Sequence, residues 1–343
     1  NQTNMEKTQE ENHSNSTHST KLETKLDPEL QKKIQSSVDR REEMKADYIK
    51  QAEQIGFKNL PEKNISTDQY GFLSDSKSQS TTELSKEEKE KRRMIQLREN
   101  ARTEKWNDML MDFEKFHKNN FSKLKSRTRK GIPDCVRGIA WLHFASIQDV
   151  YKEQANIGLF DKLVKSNELD SDTEHVILRD IDRTFPRNIF FKDRYGQGQR
   201  KLYSVLRAYS IYNKKTGYVQ GMGFITALFL TYMSEEDAFW MIHALMTNPK
   251  YKMEGYYEED FPALKGAFFV FLSLMKKYCG KIYSHLKKYE VFPSMYASQW
   301  FITLFSNCFK FSILVRFFDS FLLEGEKVIF RFSLAILKVN EGK

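Results

Sequence analysis

Apolar residues fall along this chain in two regimes. Over residues 1–85 they are scattered without period among Ser, Thr, Asn, Gln, Lys and Glu, and such a segment buries too little surface to offset the entropy of ordering. One apolar island, Asp68, Tyr70, Gly71, Phe72 and Leu73, interrupts it. The island either docks on a folded body or stays mobile. From residue 86 onward apolar positions recur at three- and four-residue steps, which is the mark of helices with one buried face. A lead-in helix is predicted over 85–122, with Leu97, Trp106, Leu110, Phe113 and Phe116 on its apolar positions and mostly charge from Lys86 to Arg98. Lys123 to Lys130 reads as a basic connector.

Helices are then expected near 134–148, 153–166, 172–185, 199–214, 222–232, 235–247, 261–278, 280–289, 295–308, 311–322 and 325–339. Ser171 with Glu174 and Ser234 with Asp237 give capping-box starts, and Ser294 just past Pro293 opens another helix. No Asn-Gly or Asp-Gly pair lies between alternating apolar residues, so no hairpin signal competes. The folded part is expected to be all-α. The abundant aromatic residues between Phe261 and Phe332 suit a packed helical array.

Two stretches carry candidate chemistry. Ile177, Ile181 and Phe185 share one helical stripe, and Arg183 falls opposite it. Asp180 precedes Arg183 at the i, i+3 distance that lets a carboxylate steer a guanidinium, although it could pair with Arg179 or cap a neighbour instead. Pro186 forces Phe185 out of the helical region, so the helix ends with an arginine in its final turn. Such an arginine alone is usually a solvated surface residue. The second stretch, Gly217 to Met222, sets Gln220 between glycines at or just before the apolar run 224–233. There its amide offers a donor and an acceptor, or simply lines a corner.

Together these stretches resemble the TBC domain family of GTPase-activating proteins that act on Rab GTPases. Ile177, Asp180 and Arg183 match its I-x-x-D-x-x-R motif, and Tyr218, Gln220, Gly221 and Met222 match its Y-x-Q-G-M motif. Ile132, Pro133, Arg137 and Trp141 fit its entry helix, where Arg137 and Trp141 read as structural. Residues from Asp319 to Arg331 resemble its late helix pair, with Phe318 where many members have tryptophan. The resemblance implies two helical lobes meeting in a shallow V. It also implies Arg183 and Gln220 as catalytic fingers, with Asp180, Tyr218, Gly221 and Ile177 in support. The expected organisation is a mostly disordered leader over 1–84, the lead-in helix over 85–122 and a TBC domain over 123–343. Asn1 in place of methionine reads as a fragment, and the end at Lys343 as a domain without its final helices.

Composition narrows the alternatives. The 343 residues carry a net charge of +9, and segment 86–130 holds 15 basic against 8 acidic residues. That basic helix is either solvated or rests on an acidic membrane, with nucleic acid disfavoured. Three dispersed cysteines and seven unclustered histidines give metal chemistry no support, and the odd cysteine count points to a reducing interior. No G-x-x-x-x-G-K-[ST] loop is present, so any GTP, with its Mg²⁺, must be held by a partner, which the resemblance implies is a Rab-family GTPase in its GTP state. Cofactors of its own are expected to be none. The expected location is cytoplasmic, peripheral to endomembranes. A catalytically silent adaptor with the same fold is the competing reading.

Overall fold

The computed structural model describes residues 67–73, 86–166 and 168–342. The leader expected over 1–84 lies outside the described residues except for 67–73. Among the described residues every regular element is helical, apart from two isolated bridges, Thr67 with Leu73 and Phe72 with Asn188.

The lead-in is two helices, α1 (Lys86–Met111) and α2 (Phe113–Lys130). Asp112 caps α2, and Asn120 kinks it. On α1, Trp106, Met109 and Leu110 are buried, whereas Met94, Ile95 and Leu97 are exposed together with Lys91, Arg93 and Arg98. Leu97 thus faces solvent and not the domain, and the start of α1 has no segregated apolar face. The supposed connector 123–130 is the second half of α2. Leu124 and Thr128 make a narrow buried stripe there, which one leucine and one threonine among five cations do not announce. Helix α2 ends at Gly131, whose φ of 105° closes the turn onto the Thr128 carbonyl.

Next come α3 (Asp134–Phe144), α4 (Ile147–Lys152), α5 (Leu159–Lys165), α6 (Ser171–Arg183), α7 (Gln197–Tyr212), α8 (Met222–Leu230) and α9 (Glu235–Thr247). The helix expected at 134–148 breaks at Ser146, which adopts φ 57°, and the one expected at 153–166 shortens to α5 behind Gly158. Helix α9 matches its expected span, with the Ser234 hydroxyl capping the Asp237 amide at 3.1 Å. Every residue of α8 is buried, and α7 and α9 pack along it.

The remainder is α10 (Pro262–Tyr278), α11 (Gly280–Lys288), α12 (Pro293–Tyr296), α13 (Ser298–Ile302), α14 (Phe311–Glu324) and α15 (Lys327–Val339). The single helix expected at 295–308 is two short ones that part at Ala297, and beyond the second Leu304 and Phe305 turn into the left-handed region (φ 47° and 61°) with both side chains buried. Helix α10 packs on α11, α12, α13 and α15, while α14 joins this set to the first by packing on α2, α3 and α15.

Buried carboxylates secure that junction. On α14, Asp319 accepts from Trp141 Nε1 at 2.9 Å, Arg137 Nε at 3.1 Å and the Ile132 amide at 3.3 Å. Pro133 starts α3 beside them, and Arg137 also pairs with Asp134 and donates to Tyr232 Oη at 3.2 Å. Arg137 and Trp141 therefore tie helices together inside the core. At the end of α14, Glu324 accepts from Lys125 at 2.9 Å, Arg129 at 2.8 and 3.0 Å, and Arg331 at 3.1 Å.

Burial opposes the charge on Glu324, but the bonds from Arg129 and Lys125 outweigh it and hold its carboxyl below the ordinary value. A depressed folded-state pKa stabilises the fold above the unfolded pKa and loses that contribution as pH falls. Arg129 and Arg331 are about half exposed (50% and 57%), so solvent screening discounts the ion pairs. Glu324→Gln is expected to lower stability at neutral pH by about 1–3 kcal/mol and to flatten its pH dependence below about pH 4.3. Denaturant unfolding across that range checks both; parallel acid limbs would remove Glu324 from the account.

Candidate functional site

Helix α6 builds one half of the site. Its N-cap is Asp170, which accepts from the Thr173 amide at 2.8 Å, so the start lies one residue before the expected Ser171 cap. Glu174 accepts from Tyr203 Oη instead of closing a capping box. Ile177, Ile181 and Phe185 are all buried, as the stripe required. Asp180 lies with them at 2% exposure, while the Arg183 side chain is 46% exposed. The helix closes on Thr184, whose hydroxyl donates to the Asp180 carbonyl at 2.7 Å. Phe185 then leaves in the left-handed region at φ 46°.

The turn between α7 and α8 builds the other half. Asn213 opens it, with its Oδ1 accepting from the Thr216 amide at 3.2 Å. Gly221 caps α8 at φ 105°, and a Cβ there would lie 3.1 Å from Thr303 Cγ2. Conformation and space together require glycine. Gln220, exposed, directly precedes it.

One carboxylate joins the halves. Asp180 Oδ1 accepts from Arg183 Nε at 2.7 Å and Nη2 at 2.5 Å. Its Oδ2 accepts from the Gly221 amide at 3.0 Å and from Tyr218 Oη. Asp180 thus steers Arg183, not Arg179, and anchors the glutamine turn as well. Burial, and then the bond to Asp180, push the Tyr218 phenol well above its ordinary range, so it stays a proton donor. The side-chain tips also meet. With its amide carbonyl turned towards the guanidinium, Gln220 accepts from Arg183 Nη1 at 3.1 Å and Nη2 at 2.5 Å.

Arg183, Gln220, Asp180, Tyr218 and Gly221 thus converge, while Ile177 is buried in the core one turn earlier on α6. Pro133, Arg137 and Trp141 sit apart, around Asp319. Sequence reasoning gave no role to Thr184 or to the Ile302–Thr303 turn beneath Gly221. A hydroxyl directly after the arginine was a signal for the first; the second had none. Among the described residues no group of three or more His, Cys, Asp or Glu is arranged to hold a metal, and no helix is long and apolar enough to cross a membrane. The arrangement offers a rigid fork of donors beside an exposed amide, which is suited to a ligand with several anionic oxygens.

Comparison with known proteins adds an independent line. The family model for the Rab-GTPase-TBC domain matches residues 134–343. Mouse TBC1 domain family member 10A is 36% identical over 237 residues, covering 69% of this chain and 46% of that protein. Human TBC1 domain family member 10B is 32% identical over 276 residues, covering 80% of this chain and 32% of that protein. The chain therefore spans less than half the length of these relatives. Among solved structures, the Chlamydomonas flagellar RabGAP TBC domain superposes with a TM-score of 0.60 at 26% identity, covering 80% of this chain and 88% of that one. The Ypt/Rab-GAP domain of Gyp1p gives 0.56 at 21% identity, covering 70% and 85%, which shows the fold alone.

An amide at position 180 satisfies the guanidinium or the turn, but not both, because one of its two polar atoms cannot accept. Asp180→Asn is expected to lower stability by about 1–3 kcal/mol. It should also speed amide exchange at Gly221 while leaving α9 protected. Unchanged exchange at Gly221 would mean that another acceptor holds the turn.

Proposed function

Because the chain belongs to the Rab-GTPase-TBC domain family, we propose that it accelerates GTP hydrolysis on a GTP-loaded Rab GTPase by supplying Arg183 and Gln220 in trans. The observation that carries this reading is the meeting of those two side chains at an exposed point, both governed by Asp180. The partner holds the nucleotide and its Mg²⁺. The chain contributes positioning and charge.

In phosphoryl transfer from GTP negative charge spreads over the phosphoryl oxygens, and catalysis rests on stabilising that charge and aligning the water. Arg183 keeps its Nε on Asp180 and turns its Nη groups to those oxygens. They replace the Gln220 carbonyl that it binds in the free chain. Gln220, released, accepts from the attacking water and donates to a phosphoryl oxygen. A Rab in its GTP state resides on membranes, so the site of action is the cytoplasmic face of endomembranes. The exposed cations Lys91, Arg93 and Arg98 on α1 support a weak, charge-driven contact with an acidic surface there.

An arginine finger is worth about 10³ to 10⁵ in rate, roughly 4–7 kcal/mol of transition-state stabilisation. Arg183→Ala and Gln220→Ala are each expected to abolish most of the acceleration while the chain stays folded. Arg183→Lys should be nearly as inactive, because an ammonium lacks the planar fork. Phosphate release from a panel of GTP-loaded Rabs measures this. Full acceleration by Arg183→Ala would reject the assigned role, and Rab binding without turnover in the wild type would favour an adaptor.

A further inference from the structure

Residues 67–73 form a strap that packs on the segment after Arg183 and, through Tyr70 and Phe72, on Phe311 at the start of α14. Asp68 Oδ1 folds it by accepting from the amides of Tyr70 and Phe72, each at 2.9 Å. Its docking ground is the irregular segment after Arg183. The Leu73 amide donates to the Arg187 carbonyl and the Ile189 amide to the Gly71 carbonyl, both at 2.9 Å. Asn188 Nδ2 donates to the Tyr70 carbonyl at 2.9 Å, and Arg187 Nη2 to the Leu73 carbonyl at 3.0 Å. These bonds reach across more than a hundred positions of sequence.

The rings say what the strap supports. Phe72 packs edge-on against Phe185 at 5.6 Å and at a tilt of 42° against Phe311 at 5.2 Å. Phe185 also meets Phe224 at 5.8 Å and Phe191 at 6.2 Å. It stands two residues after Arg183, and Phe224 four after Gln220. A bulky residue at φ 46° persists only where its surroundings over-determine it. The block around Phe185 provides those surroundings, and the strap closes one side of it.

We propose that the strap is a positioning element for both fingers, with Phe72 as its principal positioning residue. It sets the exit of the chain from α6, and through Phe185 and Phe224 the relation of that exit to the start of α8. The inference rests on the proposed Rab-directed activity for its kinetic consequence, but its structural half stands independently of it.

The test uses the full chain with Phe72→Ala, Phe72→Tyr and Asp68→Ala, the last unfastening the strap without opening the aromatic block. Amide exchange at Ile189 and Gly221 is expected to rise in Phe72→Ala and Asp68→Ala, with α9 unchanged and Phe72→Tyr like the wild type. On a Rab that the wild type accelerates, kcat should fall about 10-fold in Phe72→Ala with KM within about twofold, since a small misplacement of a catalytic group acts on turnover. Asp68→Ala should shift kcat in the same direction, and Phe72→Tyr should restore it. Unchanged exchange at Ile189 and Gly221, an unchanged kcat, or an equal loss of protection in α9 would each overturn the proposal. If the wild type accelerates no Rab, the proposed function fails, and the exchange data alone decide whether the strap holds the two segments.

Discussion

The site depends on one buried carboxylate. Asp180 faces two ways: one oxygen holds the guanidinium of its own helix, and the other holds the phenol and backbone amide of a turn 38 and 41 positions later. The two presented side chains are therefore tied directly by a single side chain, beneath which the rings of Phe72, Phe185 and Phe224 pack the two segments together. Its burial strengthens each bond, because the local dielectric is low, and makes each one costly to lose. The stripe formed by Ile177 and Ile181 carries Asp180 inward while Arg183, on the adjoining face, remains outside.

Asp319 and Glu324 repeat the device at the junction of the two helical sets. Each brings donors from the start of the domain to α14. All three carboxylates hold elements whose relative placement a purely apolar contact would define loosely, since apolar burial has no direction. The molecule combines a large non-directional core around α8 with a few directional ties where geometry matters.

What the sequence made legible follows the same division. Period and caps located most helices, and α9, with its Ser234 cap, was readable to the residue. The stripe on α6, the exit at Phe185 and the pairing of Asp180 with Arg183 were readable as well, because i, i+3 and i, i+4 geometry is local. Non-local features were not. The second half of α2 looked like a solvated connector because two of its cations, Lys125 and Arg129, are held by Glu324, 195 positions away from Arg129. The left-handed turn at Leu304 and Phe305 carries neither glycine nor proline, and both side chains are buried. The bonds from Asp180 to Tyr218 and Gly221 required knowing which turn lies against α6.

The contact between Arg183 and Gln220 in the free chain has a consequence of its own. A bare surface guanidinium would collect inorganic phosphate, loose nucleotides and passing acidic side chains. Here Nε, Nη1 and Nη2 already face oxygen acceptors, so a lone anion gains little by displacing an amide oxygen held at 2.5 Å. Only a ligand that presents several oxygens together, fixed on a surface that fits around them, offsets that exchange. Under the proposed function, the idle pair thus filters encounters, indifferent to small solutes and responsive to an assembled docking partner.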